Sequence, residues 1–317
     1  MAQGKEVIRV EGLHKKYGQV KAVDGISFQV KAGEIFGMVG PNGSGKTTSI
    51  ECIEGLRRPD EGAIEVLGLN PWDDTRELRE RTGIQLQSAN LPRRMRVDEA
   101  MDLFASFYPE SCDWGQLLEE LGLGDKRKAN FGQLSGGQQQ RLFVALALIN
   151  NPEIVFLDEL TTGLDPRARH AIWDLIREIR ANGTTVFLTT HYMDEAEQLC
   201  DRVAILDFGR IIALDSPAQL VKGLGRATRI TFSLNGHTAG GELERKSFNP
   251  ARIGVLDGVQ RVDQEGDQVT VYGQGEGILG AVVYTLEADR VPYHDLRTEG
   301  ADLEDVFLTL TGREIDD

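Results

Sequence analysis

Gly40-Pro41-Asn42-Gly43-Ser44-Gly45-Lys46-Thr47 matches the pattern GxxxxGK[ST]. An apolar β-like run at 35–39 precedes it, and a helical stretch from Lys46 to Leu56 follows. In that strand-loop-helix context, successive backbone N–H groups wrap a phosphate chain and the helix N-terminus adds a favourable dipole. The glycines permit backbone geometry that a Cβ would obstruct. Lys46 is placed to neutralise β/γ phosphates and the Thr47 hydroxyl to ligate Mg²⁺, with Thr48 next on the same turn.

Working outward, Ile154-Val155-Phe156-Leu157-Asp158-Glu159 is an apolar strand that ends in two acids. It puts negative charge at the C-terminal edge of a sheet, where open α/β folds bind ligands. Asp158 fits a Mg²⁺ shell; Glu159, one residue on, points differently and fits the polarisation of an attacking water. Between the two motifs lies Leu134-Ser135-Gly136-Gly137-Gln138, with Ser135 24 residues before Glu159. A serine hydroxyl and glycine amides opening a helix form an anion site. Within one chain that makes a second phosphate site with no second phosphate loop.

The set resembles the ABC ATPases, whose LSGGQ signature it carries together with the following Arg141. The resemblance implies ATP as ligand, Mg²⁺ as cofactor and a head-to-tail homodimer. In that dimer Ser135, Gly136, Gly137 and Gln138 of one protomer cap the nucleotide held by the phosphate loop of the other. It also implies roles elsewhere. Tyr17, in KKYG, is similar to the aromatic that stacks on adenine. Gln87, ending GIQLQ, resembles the glutamine that reaches Mg²⁺ and the water, with Gln85 as the competing register. Asp165, ending Thr162-Gly163-Leu164-Asp165, resembles the D-loop acid, and His191 after TTVFLTT the switch histidine. Catalysis is then expected from Glu159, His191, Gln87 and Lys46, and metal ligation from Thr47, Gln87 and Asp158. One position departs: the family usually has proline after the glutamate, and here Leu160 follows. Proline restricts the backbone and lacks a donor, so altered D-loop rigidity is expected, with every chemical group still in place.

The fold class expected is α/β: a P-loop ABC ATPase domain over 1–222, with a RecA-like core, an antiparallel β subdomain and a helical subdomain near 88–132. Within it, strands are expected at 7–10, 26–30, 63–69 and 83–87. The helix after Asp165 should bury Ala168, Ile172, Leu175, Ile176 and Ile179, and 184–190 should form a strand covered on both faces. A small α+β domain of ferredoxin-like order is expected over 226–317, with strands at 228–234, 259–263, 268–272 and 291–296 and helices at 251–256, 276–288 and 302–311. Its end, Leu303-Glu304-Asp305-Val306-Phe307-Leu308 and then Leu310-Thr311-Gly312-Arg313, resembles the tail of drug- and antibiotic-exporter ATPases of the daunorubicin-resistance type.

Composition limits the partners. Formal charge is −15, divided as −7 over 1–222 and −8 over 223–317, so neither part has the basic footprint of a nucleic-acid binder. The triplet Arg93, Arg94 and Arg96 fits an acidic partner, lipid headgroups or an ordinary solvated turn. Cys52, Cys112 and Cys200 form no framework, and the longest apolar run, Leu142 to Ile149, has eight residues, far short of the roughly 20 a bilayer span needs. The expectation is an ATPase at the cytoplasmic face of a membrane, driving export through a separately encoded permease and binding no nucleic acid. A soluble ribosome- or DNA-acting ATPase, and a subunit working in import, are the alternatives.

Overall fold

The structure is a computed structural model and describes residues 4–85, 90–224, 227–234, 248–275 and 277–313. It divides into one unit running through Pro217 and another spanning Ala218–Arg313.

In the first unit, β1 (Glu6–Tyr17) and β2 (Val20–Lys31) form a long hairpin, and β3 (Ile35–Val39) feeds the glycine-rich loop and α1 (Lys46–Ile53). β4 (Glu61–Val66) returns to the hairpin, making an antiparallel sheet in the order β2-β1-β4. α2 (Thr75–Arg81) leads to β5 (Thr82–Gln85). A helical block follows: α3 (Val97–Ala105), α4 (Trp114–Glu120), two 3₁₀ turns at Gly124–Lys126 and Phe131–Gln133, and α5 (Gly136–Leu148). The chain then alternates through β6 (Ile154–Asp158), α6 (Pro166–Ala181), β7 (Thr185–Thr190), α7 (Met193–Leu199), β8 (Arg202–Asp207) and β9 (Arg210–Asp215).

The main sheet runs β5-β6-β7-β3-β8-β9, parallel except for the β8/β9 hairpin. β3, β6 and β7 are buried at every residue, which is why they read as unbroken apolar runs. Phe28 of the antiparallel sheet stacks on Phe36 at 5.2 Å between ring centroids, and Phe187 joins Phe36 to Phe156 at 5.5 and 5.7 Å. This aromatic chain ties the two sheets into one core, each pair adding about 0.5–1.5 kcal/mol beyond area burial. On α6, Ile172, Leu175, Ile176 and Ile179 are buried as their spacing requires, while Ala168 is half-buried.

Two departures from the sequence expectation are the largest. β1 and β2 extend far past 7–10 and 26–30 because their polar ends pair with each other: Lys15 lies opposite Val23 and Tyr17 opposite Val20. Asp60 pins that end, accepting from the Lys16 amide at 2.7 Å and from Lys15 Nζ at 2.8 Å. Val23 and Leu13 are buried there, but the polar residues around them mask the alternation.

α8 (Pro217–Gly223) spans the boundary, and the second unit continues with β10 (Ala227–Ser233), α9 (Pro250–Gly254), β11 (Val259–Glu265), β12 (Gln268–Gln274), α10 (Ile278–Ala288), β13 (His294–Gly300) and α11 (Leu303–Thr311). Its sheet order, β11-β12-β10-β13, is all antiparallel and is the ferredoxin-like arrangement of a split βαβ pair. Ile230, Phe232, Val269 and Val271 face α9 and α10 in its core. β13 is the second departure: it lies three to four residues beyond the expected 291–296. As an edge strand it pairs only with β10, so polar HDLRTEG suits it, while Val291 packs into the core before the strand begins.

Candidate active site

Strand register assembles the site. β3, β7 and β6 are parallel neighbours, so Gly40 after β3, His191 after β7 and Asp158-Glu159 ending β6 emerge at one sheet edge. The glycine-rich loop is fixed there by backbone contact. Gly40 has φ +153° and Gly45 φ +105°. A Cβ on Gly40 would lie 2.2 Å from the Leu206 carbonyl oxygen, and one on Gly45 2.2 Å from that of Ala22. No side chain is tolerated at either position. The loop thus nests between β8 and the hairpin, with the Gly209 amide donating to the Ser44 carbonyl at 2.9 Å.

Lys46 opens α1, is 3% exposed, and folds back over the loop. Its Nζ donates to the Gly40 and Pro41 carbonyls at 2.9 and 3.1 Å and lies 3.6 Å from Glu159 Oε1. Burial lowers its pKa, while the charges of Glu159 and Asp158 act in the opposite sense. Glu159 stands between two groups, its Oε2 3.7 Å from His191 Nδ1. Asp158 accepts a hydrogen bond from the Thr189 hydroxyl, and burial raises its pKa against that donor. Thr47 and Thr48 are half-buried on the first turn, Asn42 and Gly43 exposed.

Two polar atoms here are buried without a hydrogen-bond partner among the described residues: Ser44 Oγ and His191 Nδ1. Buried polar groups are normally satisfied. These two flank a glycine cradle with a cation at its floor, and together they fit the phosphates of ATP and a divalent ion. Mg²⁺ bound with ATP supplies Lewis-acid polarisation of the phosphoryl oxygens. The residues placed to hold it are Thr47 and Asp158. Gln87 lies outside the described residues; Gln85, its competitor, is buried in β5 opposite Leu157.

The signature residues sit apart from this cradle in the chain, at the start of α5. Ser135 is its N-cap: Oγ accepts from the Gln138 amide at 3.3 Å and Gln138 Oε1 accepts from the Ser135 amide at 2.9 Å. Ser135 and Gly136 are exposed and Gly137 and Gln138 half-buried, leaving the helix N-terminus open. Asp165 caps α6 in the same way, accepting from the Ala168 amide at 3.0 Å, and is also exposed. Tyr17, at the hairpin tip, is 43% exposed with Arg57 and Lys15 cations 5.4 and 5.9 Å from its ring centre. Arg96 is neutralised by Asp98 at 2.8 Å, so the basic triplet is partly closed on itself.

Three features escaped sequence reading. Glu159 has φ +48°, a left-handed backbone for a non-glycine residue, and no composition signal marks it. Leu160, where the family has proline, is a core residue at 4% exposure, so its side chain anchors the turn that proline would stiffen. Glu54, ending α1, is buried with Oε1 unpartnered among the described residues. Burial, then the charges of Asp158 and Glu51, push its carboxyl from 4.5 up to about 9. Between those values the folded chain holds a proton that the unfolded chain has lost, so stability falls as pH rises from about 4.5 to 9. Glu54→Gln is therefore expected to raise Tm at pH 8 by at least about 2–4 °C, with little gain at pH 5. Equal gains at both pH values in a thermal melt would show packing, not ionisation, to be the cause.

Comparisons with known proteins agree with this arrangement. A family described as ABC transporter matches residues 23–162. The chain is 37% identical over 317 residues to a Nod factor export ATP-binding protein I of Ralstonia nicotianae, covering 98% of this chain and 95% of that one. It is also 37% identical over 319 residues to a protein of the same name from Rhizobium sp. (strain N33), covering 98% and 99%. Among solved structures, a dimeric ATP-binding cassette in a post-hydrolysis state bound to ADP and Pi is 28% identical, with TM-score 0.59, over 66% of this chain and 98% of its own. cbiO1 from Clostridium perfringens, part of the ABC transporter complex cbiONQ, is 26% identical with TM-score 0.59, over 68% and 90%.

Proposed function

The chain belongs to the ABC transporter family as an ATP-binding, ATP-hydrolysing subunit, and on that premise we propose that it powers an exporter as a head-to-tail homodimer docked on a separately encoded membrane permease. The observation that carries the proposal is the open signature end of α5. A capped helix N-terminus with exposed Ser135 and Gly136 is an anion site whose own chain keeps its phosphate loop elsewhere. A second protomer supplies the missing phosphate. The likeness to a cassette solved as a dimer with ADP and Pi supports the same geometry.

In this reading the loop residues 40–48 bind ATP, Lys46 neutralises the transferred phosphoryl group, and Tyr17 supports the adenine. Thr47, Asp158 and Gln87 hold Mg²⁺. Glu159 orients the water, and His191 and the partner's signature amides stabilise developing charge. Asp165 faces the dimer seam. Loss of the shared γ-phosphate reopens the dimer, and that motion is the output. The division into an ATPase domain, 1–222, and an accessory domain, 226–317, belongs to the same proposal, supported by two compact units whose boundary in the chain falls between Pro217 and Ala218.

Among the described residues no helix is long and apolar enough to cross a membrane; a separate permease as the path for cargo belongs to this proposal. The relatives matched end to end are named for Nod factor export, and the tail 303–313 resembles daunorubicin-type exporter ATPases. Both point outward, so export is the direction proposed, from the cytoplasmic face, with cargo chosen by the permease. Affinity purification of tagged Glu159→Gln protein from its native membranes with Mg-ATP, followed by mass spectrometry, tests this. A stoichiometric multi-span membrane protein is expected. Ribosomes, or a clean dimer with no membrane partner across several mild detergents, would overturn it.

A further inference from the structure

β6 and β7 place Asp158 directly opposite Thr189. From that position one hydroxyl reaches both acids. Thr189 Oγ1 donates to Asp158 Oδ1 and accepts from the Glu159 amide at 3.2 Å, and the same amide lies 3.1 Å from the Thr189 carbonyl. All three residues are buried, at 1%, 4% and 8% exposure. The Glu159 amide belongs to the residue with φ +48°. A left-handed non-glycine residue persists only where its surroundings over-determine it; here Thr189 receives the Glu159 amide, and the Thr162 amide donates to the Glu159 carbonyl at 3.3 Å.

We propose that Thr189 is a positioning residue that locks the cation-facing acid and the water-facing acid into one fixed separation. Its donor sets the orientation of the Asp158 carboxylate. Its oxygen receives the amide that turns the chain at Glu159, which aims the neighbouring carboxylate between Lys46 and His191. A valine fills the same space but gives Asp158 no donor and leaves the Glu159 amide only the carbonyl of position 189 as acceptor there. The motif patterns of this chain include His191 and both acids but pass over position 189. The inference rests on the roles given above to Asp158 and Glu159.

The test compares Thr189→Val, which removes the hydroxyl, with Thr189→Ser, which removes only the methyl group. Thr189→Val is expected to lower kcat about tenfold or more, as for loss of a buried hydrogen bond to a charged group, with KM for ATP changed less than about threefold. Thr189→Ser should stay within about threefold of the parent. A readout independent of turnover is Mn²⁺ binding, followed by electron paramagnetic resonance with a non-hydrolysable ATP analogue. Thr189→Val should weaken it while leaving metal-free ATP binding unchanged, and Thr189→Ser should restore it. If both variants lose activity equally and in step with Tm, Thr189 only packs and the proposal is wrong. Parental kcat and Mn²⁺ affinity in Thr189→Val would overturn it too. Glu159→Gln is measured alongside: hydrolysis at the parental rate there would remove the catalytic reading itself, whereas a dead Glu159→Gln beside an active Thr189→Val removes only the positioning role.

Discussion

Glu159→Gln is expected to lower ATP turnover by about a thousandfold or more while leaving ATP binding intact. The size follows from what a positioned base contributes, on the order of 10²–10⁴, with the orientation of the water lost as well. The amide keeps the shape of the carboxylate, so the backbone turn at φ +48° and its contacts to Thr189 are retained. What disappears is the negative charge set 3.6 Å from Lys46 and 3.7 Å from His191. Removing it also relieves repulsion of the γ-phosphate, so the variant should bind ATP at least as tightly and accumulate as a closed dimer. Phosphate release and size-exclusion chromatography with Mg-ATP read both effects. Multiple turnover at the parental rate would mean that the base lies elsewhere, and a chain that stays monomeric with ATP bound would count against closure.

The ATPase unit was legible because its chemistry is written in contiguous words. The phosphate loop, the acids of β6 and the helix cap at Ser135 each need a fixed residue type at a fixed spacing, and buried parallel strands such as β7 announce themselves as apolar runs. The order of the second sheet could also be read, since Glu265-Gly266-Asp267 separates two β-like runs as a hairpin turn. What stayed hidden depends on contacts between distant segments. That Gly45 abuts Ala22, or that Gly209 supports Ser44, follows from how the hairpin and β8 pack round the loop. The polar-rich ends of β1 and β2 and the polar edge strand β13 gave no clear alternation to read. The role of Thr189 is the extreme case: its register against Asp158 decides everything, and register is invisible until the strands are paired.

The second large effect concerns sharing of the site between two chains. Lys46→Ala removes the cation from the cradle, and Gly136→Asp puts a negative charge on the signature helix where a phosphate should approach. The second change is sterically mild, because a Cβ at Gly136 meets only Leu164 Cδ2 at 3.7 Å. An acid in the first turn of α5 also favours the helix. Each variant alone should be folded and should lose at least about a hundredfold in turnover. Mixed together, they should regain activity. In the mixed dimer one site combines the damaged loop with the damaged signature, and the other combines the intact loop of the Gly136→Asp chain with the intact signature of the Lys46→Ala chain. One of two sites then works, so the mixture should recover between about a quarter and a half of the wild-type rate, the range reflecting whether the dead homodimers also form. Dilution should abolish the recovery, since it depends on association. A rate equal to the sum of the separate variants, at concentrations where light scattering shows ATP-dependent pairing, would mean that each chain completes its own site. The exposed cap at Ser135 would then need another ligand.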